Sequence, residues 1–176
     1  MTTIRAATEA DLADILRIYN QAIAKTTAVF EYRPHTIDMR REWFKAKRTA
    51  SLPVLVALDG GAIAGFASYG PFRAWPAYKY SVELSVYVDE TVRGRGIGTQ
   101  LVRGVLDCAR EQDLHVVMAG ITSDNDASLR LHRKLGFAEV AHIPEVGYKF
   151  GRWLDLKLLQ LILEGPRQPT DDQALS

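Results

Sequence analysis

The 176-residue sequence predicts a single domain of the α/β (α+β) class, a mixed central sheet flanked by helices. Segments with apolar residues at helical spacing alternate with short runs of strand-forming residues. In the middle of the chain, a strand runs through three closely spaced glycines, Gly94, Gly96 and Gly98, straight into a helix. With 47% hydrophobic residues the chain can bury one good core and no second one.

Leu12, Ile15, Leu16, Tyr19 and Ile23 recur at helical spacing behind Thr8, a candidate N-cap with Asp11 as its capping-box partner, and predict a helix over 9–24. A loop over 25–35 containing Pro34 leads to a more polar helix over 37–49, whose apolar contacts are Trp43 and Phe44. Loops of this length often line a site. Residues 54–58 and 62–69 read as a hairpin turning at Asp59-Gly60-Gly61. Residues 70–79, with Pro71, Arg73, Trp75, Pro76 and Tyr78, form a loop that projects aromatic and cationic groups, and 81–88 return as a strand.

Ile97, Leu101, Val102, Val105, Leu106 and Ala109 then share one helical face. Residues 114–121 predict a strand, 126–135 a short helix ended by Gly136, and 137–141 another strand. The last apolar run, 147–163, fits a helix by period alone, but a tight turn expected at 144–147 and the need to close the sheet favour a strand. The domain spans 1–164, and the polar tail, 165–176, is expected to be disordered.

Lys and Arg number 22 against 21 for Asp and Glu, so the net charge of +1 offers no bulk attraction for nucleic acid or an anionic membrane. The chain starts without a basic region followed by an apolar one, and no run approaches the ~20 apolar residues of a membrane helix. A soluble, cytoplasmic protein is the expectation. Cys108 falls in an apolar helical pattern and reads as a core residue. His35, His115 and His142 lack metal-ligand spacing, so no metal is expected.

Any anion must therefore be held locally, and the glycine turn is the place for it. Glycines let backbone N–H groups converge on a phosphate, and the helix N-terminus adds partial positive charge. Arg93 and Arg95 add guanidinium groups, although on a tight turn both cannot point the same way, so one holds the turn or faces solvent. The turn lacks the Gly-Lys-Ser/Thr ending of a P-loop and lies too late in the chain for most dinucleotide-binding first turns.

Arg93-Gly94-Arg95-Gly96-Ile97-Gly98 matches the Arg/Gln-x-x-Gly-x-Gly/Ala signature that follows the central strand in the GNAT superfamily of acetyl-CoA-dependent N-acetyltransferases, and the chain resembles that family. Asn125, the short helix after it and the Leu135-Gly136-Phe137 ending form a second shared feature. The resemblance covers about residues 4–163 and implies the single-domain GNAT fold. Leu84-Ser85-Val86-Tyr87-Val88, Lys149-Phe150-Gly151-Arg152-Trp153 and Thr26-Thr27-Ala28 are similar to the phosphinothricin and methionine sulfoximine acetyltransferase branch.

The resemblance implies acetyl-CoA as co-substrate. Backbone groups of Val86, Tyr87 and Val88 would bond the pantetheine arm as an added strand, and Arg93, Gly94, Arg95, Gly96, Ile97, Gly98 and Thr99 would hold the pyrophosphate. Asn125 would bond the pantetheine or thioester region; Lys134 would reach the outer phosphates or stand as a solvated helix lysine. Arg130, Arg133 and Lys134 form a short basic patch with the same two readings.

An amine attacks a thioester only when neutral, so a carboxylate near the acetyl group is needed to take its proton. Glu83 is the candidate base, directly or through water, with a structural ion-pair carboxylate as the alternative. A backbone N–H of Val86 or Tyr87, at a local bulge, would serve the oxyanion. The family commonly has a proton-donating tyrosine where this chain has His132, which can be a donor at neutral pH or a packed helix residue, with water as a further donor.

The implied acceptor site comprises Arg73, Ala74, Trp75, Glu83, Leu84 and Ser85. Arg73 suits a carboxylate and Trp75 an apolar side chain, although both also read as surface residues. Leu84 stands where the branch often has histidine. The expected reaction is acetylation of the α-amino group of a small amino-acid analogue. Acetylation of protein or peptide N-termini, and a CoA-binding sensor without turnover, are the alternatives. The last strand with Lys149 to Trp153 is a candidate homodimer contact, and intrachain packing explains it equally.

Overall fold

A computed structural model describes residues 2–171. The elements run β1 (Thr3–Ala6), α1 (Leu12–Lys25), α2 (Ile37–Thr49), β2 (Val54–Asp59), β3 (Ala62–Pro71), β4 (Ser81–Val88), α3 (Ile97–Glu111), β5 (Val116–Thr122), α4 (Asp126–Lys134), β6 (Ala138–Lys149) and β7 (Arg152–Ile162). The strands form one seven-stranded sheet in the order β1-β2-β3-β4-β5-β7-β6. Every neighbouring pair is antiparallel except β4 and β5, which are parallel.

Sequence period decides which face each helix buries. The six α3 residues at helical spacing, Ile97, Leu101, Val102, Val105, Leu106 and Ala109, are all buried against the sheet, with Val82, Leu84 and Val117 beneath them. Burial of each large aliphatic side chain contributes about 1.5–3 kcal/mol. The opposite face of the sheet receives α1 and α2, where Leu12, Ile15 and Ile18 meet Phe44, Val56 and Phe66. Helix α1 begins where expected: the Thr8 backbone N–H donates to Asp11 Oδ2 at 2.7 Å, closing the capping box, and a single 3-10 turn over Glu9–Asp11 precedes the α-helix.

Three features depart from the sequence expectations. Strand β1 is unforeseen, being four residues at the sheet edge. The strand expected over 137–141 continues to Lys149, and the turn expected at 144–147 is instead a bulge inside β6, with register shifts at Glu139/Ala141 and Ile143/Gly147. Proline is tolerated at bulges because no ladder bond is required there. Glu145 takes φ 51°, and its N–H donates to Asp155 Oδ1 at 2.9 Å. The chain reverses later, at Phe150 and Gly151, which both have positive φ, as a tight hairpin requires. Residues 163–171 form no helix or strand but touch the body, with Tyr80 OH accepting from Thr170 N at 3.2 Å. Residues 172–176 of the expected tail lie outside the described residues.

Cys108 packs against the main core, and burial raises its thiol pKa, as a structural thiol requires. Among the described residues no helix is long and apolar enough to cross a membrane.

Candidate active site

The site begins where the sheet stops bonding. Strands β4 and β5 pair at Ser81–Val116, Val82–Val117 and Glu83–Met118, and there the pairing ends, although β4 continues to Val88 and β5 to Thr122. Bond parity tells which main-chain groups are left. Asp89 N donates to Ala64 O, and Phe72 N to Ser81 O, with one register throughout, so the odd-numbered residues of β4 bond to β3. The Glu83–Met118 pair uses the Leu84 N–H, so the C=O of Leu84 and the N–H and C=O groups of Val86 and Val88 face the gap. Val88 O accepts from Arg93 Nε at 3.2 Å.

The gap opens into a cavity of about 980 Å³. Val86, Tyr87 and Val88 form one wall, Gly120 and Thr122 of β5 another. Tyr87 contributes a ring edge-on to Tyr19, 5.3 Å between centroids, while its main-chain groups belong to β3. Above them the turn after β4 folds through Gly94 (φ 80°) and Gly96 (φ 81°), a backbone that disfavours side chains, and delivers the orphan N–H groups of Ile97, Gly98 and Thr99 to the cavity. Asn125 caps α4, its Oδ1 accepting from Ser128 N at 3.2 Å, and lines the same space.

Glu83, at the vertex between the parting strands, lines both this cavity and an adjoining one of about 210 Å³ bounded by Thr27, Phe30 and Leu156. Burial raises its carboxyl pKa, and the charge of Arg73 partly opposes the rise. Leu84 packs into the α3 core and is buried, and both it and Ser85 line the cavity.

His132 is 1% exposed. Its Nδ1 lies 2.8 Å from Ser128 O, which as a carbonyl only accepts, so Nδ1 carries the proton and Nε2 a lone pair. Nε2 has no partner among the described residues, and burial lowers the imidazole pKa against the Ser128 bond, which raises it.

The remaining expected residues stand apart. Arg95 Nη1 lies 3.4 Å from Asp59 Oδ2, outside the cavity, so of the two arginines only Arg93 lines it. Arg73, Ala74 and Trp75 are exposed and do not line it; Arg73 rests on the Phe72 ring, 4.2 Å to its centroid. Lys134 is exposed at the far end of α4. Gly120, Thr122, Asp124 and Arg152 are among the lining residues that were not foreseen. An isolated glycine within a strand run is a usable signal of close approach; the Arg152–Asp124 ion pair has none, because it joins distant segments. Among the described residues no group of acidic, histidine and cysteine side chains could hold a metal.

A strand edge open to an extended chain, a glycine turn with convergent N–H groups and a half-buried carboxylate at the vertex define an acyl-transfer site. Residues 13–137 match the acetyltransferase (GNAT) family, and the chain belongs to that family. It is 44% identical over 167 residues to the L-methionine sulfoximine/L-methionine sulfone acetyltransferase of Salmonella typhimurium, covering 95% of this chain and 98% of that one. The phosphinothricin N-acetyltransferase of Streptomyces coelicolor is 38% identical, over 87% of this chain and 91% of its own. A Salmonella typhimurium acetyltransferase solved with acetyl-CoA superposes with a TM-score of 0.93 at 44% identity, covering 96% of this chain and 98% of that one. This chain is an acetyltransferase.

Proposed function

We propose that the chain transfers acetyl from acetyl-CoA to the α-amino group of a small amino-acid analogue of the methionine sulfoximine, methionine sulfone or phosphinothricin type, in a ternary complex. The observation that carries this reading is Glu83 at the vertex of the parted strands, between the large cavity and the small one.

The residues present fit acetyl-CoA. The Leu84 C=O and the main-chain groups of Val86 are free for the amides of the pantetheine arm, and Arg93 with the α3 N-terminus suits the pyrophosphate. Bound there, acetyl-CoA supplies the activated acyl carbon. Glu83, its proton affinity raised by burial, takes the proton of the acceptor ammonium, directly or through water. Transfer would join the freed amine to the acyl carbon and release CoA as its thiolate. The Val86 N–H, turned into the gap, serves the oxyanion. His132 presents a lone pair on Nε2, so the departing thiolate takes its proton from water.

The small cavity of about 210 Å³ suits the side chain of a free amino acid better than a peptide; Arg73 lines neither cavity and is not assigned to the acceptor carboxylate. Tyr148, Phe150 and Trp153, exposed on the β6–β7 hairpin, offer a face for a second copy; a monomer by sedimentation at all concentrations overturns that part. The same reading makes the protein a soluble cytoplasmic enzyme.

The test is CoA release over amino acids, their sulfoximine, sulfone and phosphinic analogues, and short peptides. Turnover is expected on the free analogues. Turnover on peptides alone, or tight acetyl-CoA binding without turnover, overturns the reading.

A further inference from the structure

Residues 26–36 carry no helix or strand, yet Thr27 and Phe30 of this stretch bound the small cavity beside Glu83. A segment without its own ladder bonds needs an outside support to hold such a wall in place. That support is the end of β6.

Lys149 is 5% exposed, and its ammonium donates to three carbonyls: Ile23 O at 2.7 Å, Thr26 O at 2.9 Å and Val29 O at 2.7 Å. An ammonium has three donors and no acceptor, so this arrangement uses all of them. Ile23 and Thr26 belong to the last turn and C-cap of α1, where unpaired carbonyls and the negative end of the helix dipole favour a cation. Val29 lies in the loop itself.

Two further contacts come from the neighbours of Lys149 on the same strand. A Cβ on Gly147 would fall 2.3 Å from Phe30 Cε2, so the Phe30 ring lies flat against backbone that only glycine leaves open. Tyr32 OH donates to Tyr148 O at 2.6 Å. Gly147, Tyr148 and Lys149 thus support Phe30, Tyr32 and the start of the loop in turn.

We propose that Lys149 is a positioning residue for the acceptor: its ammonium anchors the 26–36 loop on β6, and so holds Thr27 and Phe30 in place beside Glu83. The inference rests on the acetyl-transfer reading for its kinetic part. Its structural part needs no substrate.

Lys149→Met keeps the length of the aliphatic stem and removes the charge and all three donors. In the ligand-free protein, amide hydrogen exchange over 26–36 is expected to speed up at least tenfold, with 97–111 unchanged. KM for the acceptor is expected to rise at least tenfold while KM for acetyl-CoA stays within twofold. Unchanged exchange over 26–36, or an equal rise in both KM values, overturns the proposal. If Lys149→Met does not fold, Lys149→Gln decides, since its shorter side chain and two amide donors cannot serve all three carbonyls. A rise in acceptor KM alone supports the proposal; an unchanged acceptor KM overturns it. If the unaltered chain acetylates no amino-acid analogue, the acceptor reading fails, and the exchange measurement still decides whether Lys149 anchors the loop.

Discussion

The carboxylate of Glu83 occupies the space a side chain on Gly120 would need: its Oε1 lies 2.9 Å from where a Cβ there would sit. Gly120 pairs with Leu158 of β7 through the main chain, so a methyl group displaces the carboxylate without breaking the sheet. Gly120→Ala is expected to lower kcat/KM by about 10- to 100-fold, the scale of a misplaced reacting group. Thermal stability and acetyl-CoA affinity should stay near those of the unaltered chain in scanning and titration calorimetry. Full activity would show that Glu83 needs no fixed position.

Glu83 acts only when ionised, and burial raises its pKa. The rate should therefore rise with pH through a midpoint above the usual glutamate value, limited by the opposing charge of Arg73. Glu83→Gln is expected to remove that rise and to cost about 10²- to 10⁴-fold in kcat/KM, the range for a lost general base. Acetyl-CoA affinity should change little. A pH profile with the same acid limb in the variant would take Glu83 out of the mechanism.

The two arginines of the glycine turn should separate in a binding titration. Arg93→Ala removes a cation lining the cavity and is expected to weaken acetyl-CoA binding about tenfold, equivalent to one charge-assisted bond of about 1.4 kcal/mol. Arg95→Ala removes an exposed pair with Asp59 and should leave affinity within twofold. Equal losses would mean that Arg95 swings to the phosphate on binding.

At the other end of the molecule, bonds from the Arg5 guanidinium and from Thr8, against the cost of burial, hold the Asp11 carboxyl pKa down to about 2. A depressed carboxylate stabilises the fold above its unfolded pKa of roughly 3.9, and that contribution is lost as pH falls toward 2. Asp11→Ala should cost about 1–2 kcal/mol at neutral pH, the scale of a lost helix cap. Its stability should also fall less steeply between about pH 4 and 2 than that of the unaltered chain, as urea titrations at each pH would measure.

What could be read in the sequence was local. The six-residue apolar face of α3, the Thr8–Asp11 box and the bounds of α2 and β4 follow from spacing, because each is decided within one or two turns of chain. The glycine turn was legible because strand, turn and helix follow one another directly, whereas the roles expected of Glu83 and Asn125 came from the family resemblance, since nothing in their local spacing marks them. Strand β1 was not legible, since four residues show no period. Pro144 and Gly147 imitate a turn locally, and only the Asp155 bond to Glu145 and the pairing with β7 reveal a bulge. The direction of Arg95 depends on Asp59, 36 positions away, and the Lys149 bonds span 120 to 126 positions. Such contacts leave no mark on spacing.

The parting of β4 from β5 has a consequence for how such an enzyme can evolve. On the reading proposed above, the donor is gripped largely by peptide groups of Leu84 and Val86, which every amino acid except proline possesses alike. Point mutations there alter the packing under α3 and leave the bonding groups in place. The acceptor instead meets side chains, those of Glu83, Thr27 and Phe30. A chain of this construction can change what it acetylates one residue at a time, but can change what it acetylates with only by bending a strand.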